Sequence, residues 1–317
     1  MTDNFIDINI DKYGSKGRLG ALADYWEVCA IAGLRLSRSD IGDAVRDNGW
    51  ANLEVDRLQT PLDATELSMG AEQDRSVRTA GRVLDLILQR SNVLGDGYPF
   101  ALSRQSLQLK PRYDLRSSHY VALLAMTVVH AWDLDSGVDP ELTFERYVER
   151  ALSAFGVPSH GMGTAARDVA SFPDRLHAAA SALGLRADPD AAIRSRFAQD
   201  EGVDVLATLL WRDSRVGQWT WIGQATCAGS EQWKSKINDP SPKQWERFLL
   251  ESLRPIPFLA VPHHIETREF EYLIERGKGA TVLDRLRLCM ATPGLVADEL
   301  RIVEAMIGAG VALGAAA

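Results

Sequence analysis

The spacing of apolar residues divides the chain into a helical first part and a mixed second part. Between Arg18 and Leu36 apolar positions recur three and four residues apart, the period of an amphipathic helix. Ser37-Arg-Ser-Asp40 reads as a cap and predicts a second helix through Val45 and Trp50. A longer helix is expected over 68–94, with Val77, Val83, Leu84, Ile87 and Leu88 on one face, and Gly95, Gly97 and Pro99 end it. Tyr120–Trp132 is almost continuously apolar and predicts a buried helix. Leu142–Phe155 and Ala166–Leu185 continue the helical character.

After about Pro189 the texture changes. Val203–Leu210 and Gln218–Ala225 are rich in β-branched and aromatic residues, and Asp213–Gly217 between them carries turn signals, so a β-hairpin is expected. Ser241–Leu253 predicts a helix, Pro255–Pro262 an extended apolar run, and Arg268–Arg276 another helix. Ala280–Leu283 predicts a strand and Val296–Val311 a closing helix. The expected class is α/β (α+β), with a mostly helical domain over 1–190 and a mixed sheet flanked by helices over 191–317. No Pro/Gly/Ser-rich linker marks the boundary.

Composition narrows the picture. Hydrophobic content of 46% and charged content of 25% are those of a soluble globular protein. No apolar run approaches the roughly 20 residues that span a bilayer, and the acidic start lacks the blocks of a signal peptide. No membrane partner is expected. Cys29, Cys227 and Cys289 are odd in number and far apart, which excludes a disulfide framework and zinc-type spacing and suits a reducing cytoplasm. A net charge of −8 argues against a dedicated DNA-binding domain. The acidity is concentrated in the first 200 residues while 201–290 is about balanced, so nucleic-acid contact is expected in the second part. The Gly/Ala-rich run from Met306 to Ala317 reads as a helix end packing on the body or on a partner, a homo-oligomer included.

The residues that point to chemistry are Glu201-Gly-Val-Asp204-Val and, about twenty residues on, Ile222-Gly-Gln224-Ala-Thr226. A carboxylate at one strand end and an oxygen ligand on the neighbouring strand can hold Mg²⁺ against a scissile phosphate. With the turn centred near Ser214, Asp204 lies opposite Gln224, and alternation places Gln224 and Thr226 on one side of the sheet. The same register turns Val203, Val205 and Ala207 one way, with Trp219, Trp221 and Ala225 likewise.

This pattern resembles the glutamine variant of the PD-(D/E)XK nuclease superfamily, over about 40 residues and more loosely over about 100. The resemblance implies a restriction-endonuclease-like sheet and a Mg²⁺ or Mn²⁺ cofactor. It implies Asp204 and Gln224 as metal ligands, with the Ala225 carbonyl as a third. The order of the Tyr98-Pro-Phe, Gly223-Gln…Trp233 and Asp284-Arg-Leu-Arg segments is also similar to that in bacterial proteins found among phage-defence genes. One position departs from the pattern: Thr226 stands where the lysine is expected. Lys234 or Lys236, expected at the start of the next helix, are the candidates to supply that cation. The superfamily often adds a carboxylate from a helix before the hairpin, for which Asp174 and then Glu201 are the candidates.

Other residues have blander readings. His263 and His264 are adjacent, so one is expected at the surface and one hydrogen-bonded, with a base or phosphate contact as the lesser alternative. Arg285 and Arg287 suit an ion-paired helix start, with phosphate contact as the alternative. Trp219 and Trp221 are expected to pack beneath a helix, and Trp211 or Trp233 offers base stacking as an alternative. Ser159–Gly163 is expected as a plain turn, and His119 and His130 in the helical core. Two functions follow as expectations: a metal-dependent DNA endonuclease in bacterial antiphage defence, working with other defence subunits, or an inactive nuclease-fold scaffold within such a complex.

Overall fold

The computed structural model describes residues 10–47, 69–103, 106–163, 171–189, 202–211, 213, 215–277 and 279–316. The expected contribution of Trp50 to the second helix, the turn centre at Ser214 and the candidate Glu201 lie outside these residues.

A 3₁₀ turn, Ile10–Tyr13, leads into helix α1, Arg18–Ile31, which is buried along most of its length. The short strand β1, Leu36–Ser37, precedes α2, Arg38–Asp47. That helix starts on a reciprocal cap: Ser37 N and Oγ donate to Asp40 Oδ2 at 2.7 and 2.8 Å, and Asp40 N donates to Ser37 Oγ at 3.3 Å. Helix α3, Met69–Leu94, is followed by strands β2, Phe100–Ser103, and β3, Ser106–Leu109. β1, β3 and β2 form a small antiparallel sheet in that order. The first part is therefore helical with a sheet that the helix-dominated pattern concealed.

Helix α4, His119–Ala131, buries every residue from Tyr120 to Val129, as its apolar run predicts. The Asp139 side chain accepts from the amides of Glu141 and Leu142, and with Pro140 in the first turn it starts α5, Pro140–Ala154. Strand β4, Ser159–Gly161, occupies the expected plain turn. Helix α6, Phe172–Ala182, follows.

The hairpin forms as β5, Val205–Leu209, and β6, Trp219–Ala225. Helix α7, Ser230–Lys236, and a single turn, α8, Pro242–Trp245, lead to β7, Ile256–Ala260. The helix expected over 241–253 is thus cut to that one turn. The chain beyond it runs to Leu249, which bridges back to Ala187. Helix α9, Thr267–Arg276, strand β8, Thr281–Leu283, the single turn α10, Arg285–Leu288, and α11, Ala297–Ala316, complete the described elements.

The main sheet runs β4-β5-β6-β7-β8. Its first three strands are antiparallel, and β6, β7 and β8 are parallel, with α7 in the first crossover. Helices flank it, which gives the expected mixed α/β class. Elements from both sides of residue 190 build this sheet, because Ser159–Gly161 pairs with Val205–Ala207. One apolar cluster also runs from Ile10 through α4 and α5 to Leu313. Among the described residues no helix is long and apolar enough to cross a membrane.

Candidate functional site

The register Val205↔Gly223 through Leu209↔Trp219 places Asp204 one step beyond the ladder, beside Gln224. There the pairing bends. The Asp204 amide donates to the Gly223 carbonyl at 2.8 Å, and Asp204 Oδ2 accepts from the Ala225 amide at 3.0 Å. The bend separates Val203 from Val205: Val203 packs with Leu206 and Ile222 on one face, while Val205 and Ala207 join Ala225 on the other. The expected shared face of Val203, Val205 and Ala207 fails at this residue. The tryptophans differ too. Trp219 is 50% exposed and packs edge-on to Trp211, itself 55% exposed, whereas Trp221 is half-buried against the core. Trp233 is buried, and its indole donates to the Ala228 carbonyl at 2.9 Å.

Asp204, Gln224 and Thr226 are buried at the floor of a cleft of about 640 Å³. Lys236 projects into it from the last turn of α7, not the first, and Nζ donates to Gln224 Oε1 at 2.9 Å. Trp233 and Ile237, packed on Leu259 and Val261, seat α7 against the sheet and so fix where Lys236 points. Lys234 is exposed and does not line the cleft; its carbonyl accepts from Asn238. Thr226 holds the connecting loop instead of supplying a charge, its Oγ1 accepting from the Ala228 amide at 3.1 Å.

Two further carboxylates line the cleft, Glu141 and Glu145 on α5. Their four-residue spacing puts them on one helix face. Glu145 meets Asp204 at Gly163. A methyl group there would lie 2.5 Å from Glu145 Oε2 and 3.0 Å from Asp204 Oδ1, so the end of the Glu145 side chain would have to shift. Asp174 instead belongs to the start of α6, where Ser171 caps its amide, and it does not line the cleft. The sequence carried a signal for the α5 pair: an Asp139-Pro140 helix start with acids one turn apart, immediately before strand β4.

Among the described residues no group of three or more His, Cys, Asp and Glu side chains is placed to hold a metal ion. The donors here are of a different make-up: the carboxylates of Asp204 and Glu145, the Gln224 amide oxygen and the backbone at Ala225, all lining one cleft. These are hard oxygen donors, which suit Mg²⁺ or Mn²⁺ rather than zinc.

His263 and His264 are both inside. His263 Nε2 meets the Cys227 carbonyl at 2.8 Å, and His264 Nδ1 accepts from Arg90 Nε at 3.1 Å. Burial pushes the His263 pKa down to about 4, with the Cys227 carbonyl opposing and Arg285 assisting. Burial, with Arg90 and Arg285 nearby, drives His264 well below the usual imidazole value. Arg285 is fully buried and grips Asp24 through two bonds of 2.7 and 2.8 Å. Arg90 pairs with Asp24 at 2.8 Å and Glu27 at 2.9 Å. Burial acts to raise Asp24, but the Arg285 and Arg90 guanidiniums hold it below its ordinary value. This network spends Arg285 inside the fold, whereas Arg287 is exposed over the Phe270 ring. His119 is half-buried against Tyr147, and His130 faces the cleft. Burial raises the thiol pKa of Cys29, Cys227 and Cys289, leaving them protonated at neutral pH.

No family model, no curated protein and no solved structure matches the chain.

Proposed function

We propose that this cleft is the site of a metal-dependent endonuclease that hydrolyses DNA phosphodiesters, of the PD-(D/E)XK type in its glutamine variant. The observation that carries the reading is the Lys236–Gln224 contact. The cation missing at Thr226 is supplied from the next helix, onto the strand end beside Asp204. The carboxylates on α5, ahead of the hairpin, line the cleft where Asp174 does not, and in this reading they supply the helix acid.

Asp204 and Glu145 would hold a Mg²⁺ or Mn²⁺ ion with Gln224 and the Ala225 carbonyl. A bound divalent ion lowers the pKa of its water and offsets charge on the phosphate. Lys236 stands to meet a phosphate oxygen or orient the attacking water, and the Ala225 amide fixes the Asp204 carboxylate. Action in bacterial antiphage defence, alongside other subunits, is the setting that the resemblance suggests.

One observation favours the second reading, an inactive scaffold. The Lys236 ammonium sits on the amide oxygen that a metal ion would take. Calorimetric titration with Mn²⁺ separates the two. The endonuclease reading expects binding by the wild type and its loss in Asp204→Asn. Wild-type protein that binds no Mn²⁺ contradicts it.

A further inference from the structure

The first described turn of the chain lies against this cleft. Ile10 and Tyr13 are buried in the core, while Lys12 between them is turned outward and lines the cleft. The segment is locked onto the start of α7. The Lys12 carbonyl lies where any side chain on Gly229 would have to go. The Ser15 amide donates to Glu231 Oε1 at 2.9 Å, and the Lys16 amide to Ser230 Oγ at 3.1 Å. Lys16 adds a 2.7 Å pair with Glu269 on α9. Residues separated by more than two hundred positions along the chain thus form one wall.

Lys12 and Lys236 approach from the two ends of α7, since Lys12 is held beside Gly229 and Lys236 ends the helix. The side chain of Lys12 is 37% exposed, and its charge partner, Asp133 at 3.3 Å, is 90% exposed. A bridge to so exposed a partner is worth little and exchanges readily for another anion. Asp133 also follows just past the end of α4 that carries His130, a second cleft-lining side chain able to donate to an oxyanion. The remaining charged walls are the acids Glu141, Glu145 and Asp204, which repel a phosphate unless a cation intervenes.

We propose that Lys12, with His130 beside it, is a phosphate-contact subsite for the DNA strand, holding a backbone phosphate next to the one over the carboxylates. This rests on the endonuclease reading. Lys12 trades Asp133 for the phosphate when DNA enters, and the buried anchors Ile10 and Tyr13 keep it in place. The subsite explains how an acidic chain takes a polyanion: one contact near the cleft comes from a segment outside the sheet.

The test measures binding of a short fluorescein-labelled DNA duplex to the full chain in Ca²⁺ over a range of salt. Lys12→Ala is expected to weaken binding about three- to tenfold and to lower the salt slope by about one. Lys12→Arg should keep both near wild type. Mn²⁺ binding and the unfolding temperature, followed in parallel, should stay unchanged in both variants. Unchanged DNA affinity and slope in Lys12→Ala, with Mn²⁺ still bound, overturns the subsite and leaves the metal site standing. An equal loss in Lys12→Arg overturns it too, since charge would then not be what acts. A wild type that binds neither Mn²⁺ nor DNA overturns the underlying reading.

Discussion

Lys236 Nζ donates to Gln224 Oε1 at 2.9 Å across a strand end and a helix, twelve residues apart in the chain. The contact puts a cation where the local sequence, with Thr226, has none. Lys236→Ala should therefore remove cleavage by on the order of a hundredfold or more, the scale of losing one electrostatic partner at a reacting centre. Lys236→Arg should recover part of it. Lys234→Ala, whose side chain lies outside the cleft, should cleave as wild type does. Cleavage rates of the three variants check this, and equal losses at Lys234 and Lys236 would refute the assignment.

Gly163 is the gap between two carboxylates. Gly163→Ala would place its methyl group 2.5 Å from Glu145 Oε2, so one carboxylate must move. Mn²⁺ affinity should fall several-fold while the fold survives. Calorimetry beside circular dichroism reads both, and undiminished affinity would show that Glu145 and Asp204 do not act together.

Acid should weaken the fold through the buried histidines. His263 falls from 6.5 unfolded to about 4 folded, and His264 shifts the same way. A depressed folded pKa means that the unfolded chain binds more protons between those values. Stability is then complete above 6.5 and is lost as pH falls towards 4. For a single imidazole the slope reaches at most about 1.4 kcal/mol per pH unit. Urea unfolding at neutral and mildly acid pH should show lower stability in acid, and equal or greater stability there would contradict the burial of both rings as neutral groups.

The Asp24–Arg285 pair ties α1 to the turn after β8. Arg285→Ala leaves a buried carboxylate short of its bidentate partner, at a cost of about 3–5 kcal/mol. Because Arg285 is interior, its loss should act on unfolding and leave the salt dependence of DNA binding as it was. A reduced salt slope with an unchanged unfolding midpoint would instead place Arg285 on the DNA.

Periodicity made the large elements legible. The buried helix over α4, the capped start of α2 and the hairpin register all follow from local rules. The register sets Gln224 next to Asp204, but the bend at Asp204 depends on its side chain capping the Ala225 amide, which no alternation pattern encodes. The strand at Ser159–Gly161 is too short for a period of two to declare itself, and its pairing with β5 is a long-range event. Glu141 and Glu145 were readable only as a surface pair on a helix; their meeting with Asp204 depends on how α5 crosses the sheet. Lys236 was readable as one of two lysines, and the packing of Trp233 and Ile237 decides between them. The sequence offers Arg285 as an ion-paired helix start and one of the two histidines as a surface residue, because burial of charge is invisible until its partners, Asp24 and Arg90, arrive from far along the chain.

The most direct measurement is cleavage of DNA by the wild type in Mg²⁺ and in Mn²⁺, with Asp204→Asn and a chelator as controls. Metal-dependent strand scission by the wild type, lost in both controls, is the expected result. Wild-type protein that binds Mn²⁺ but cuts no DNA would contradict the endonuclease and leave the scaffold.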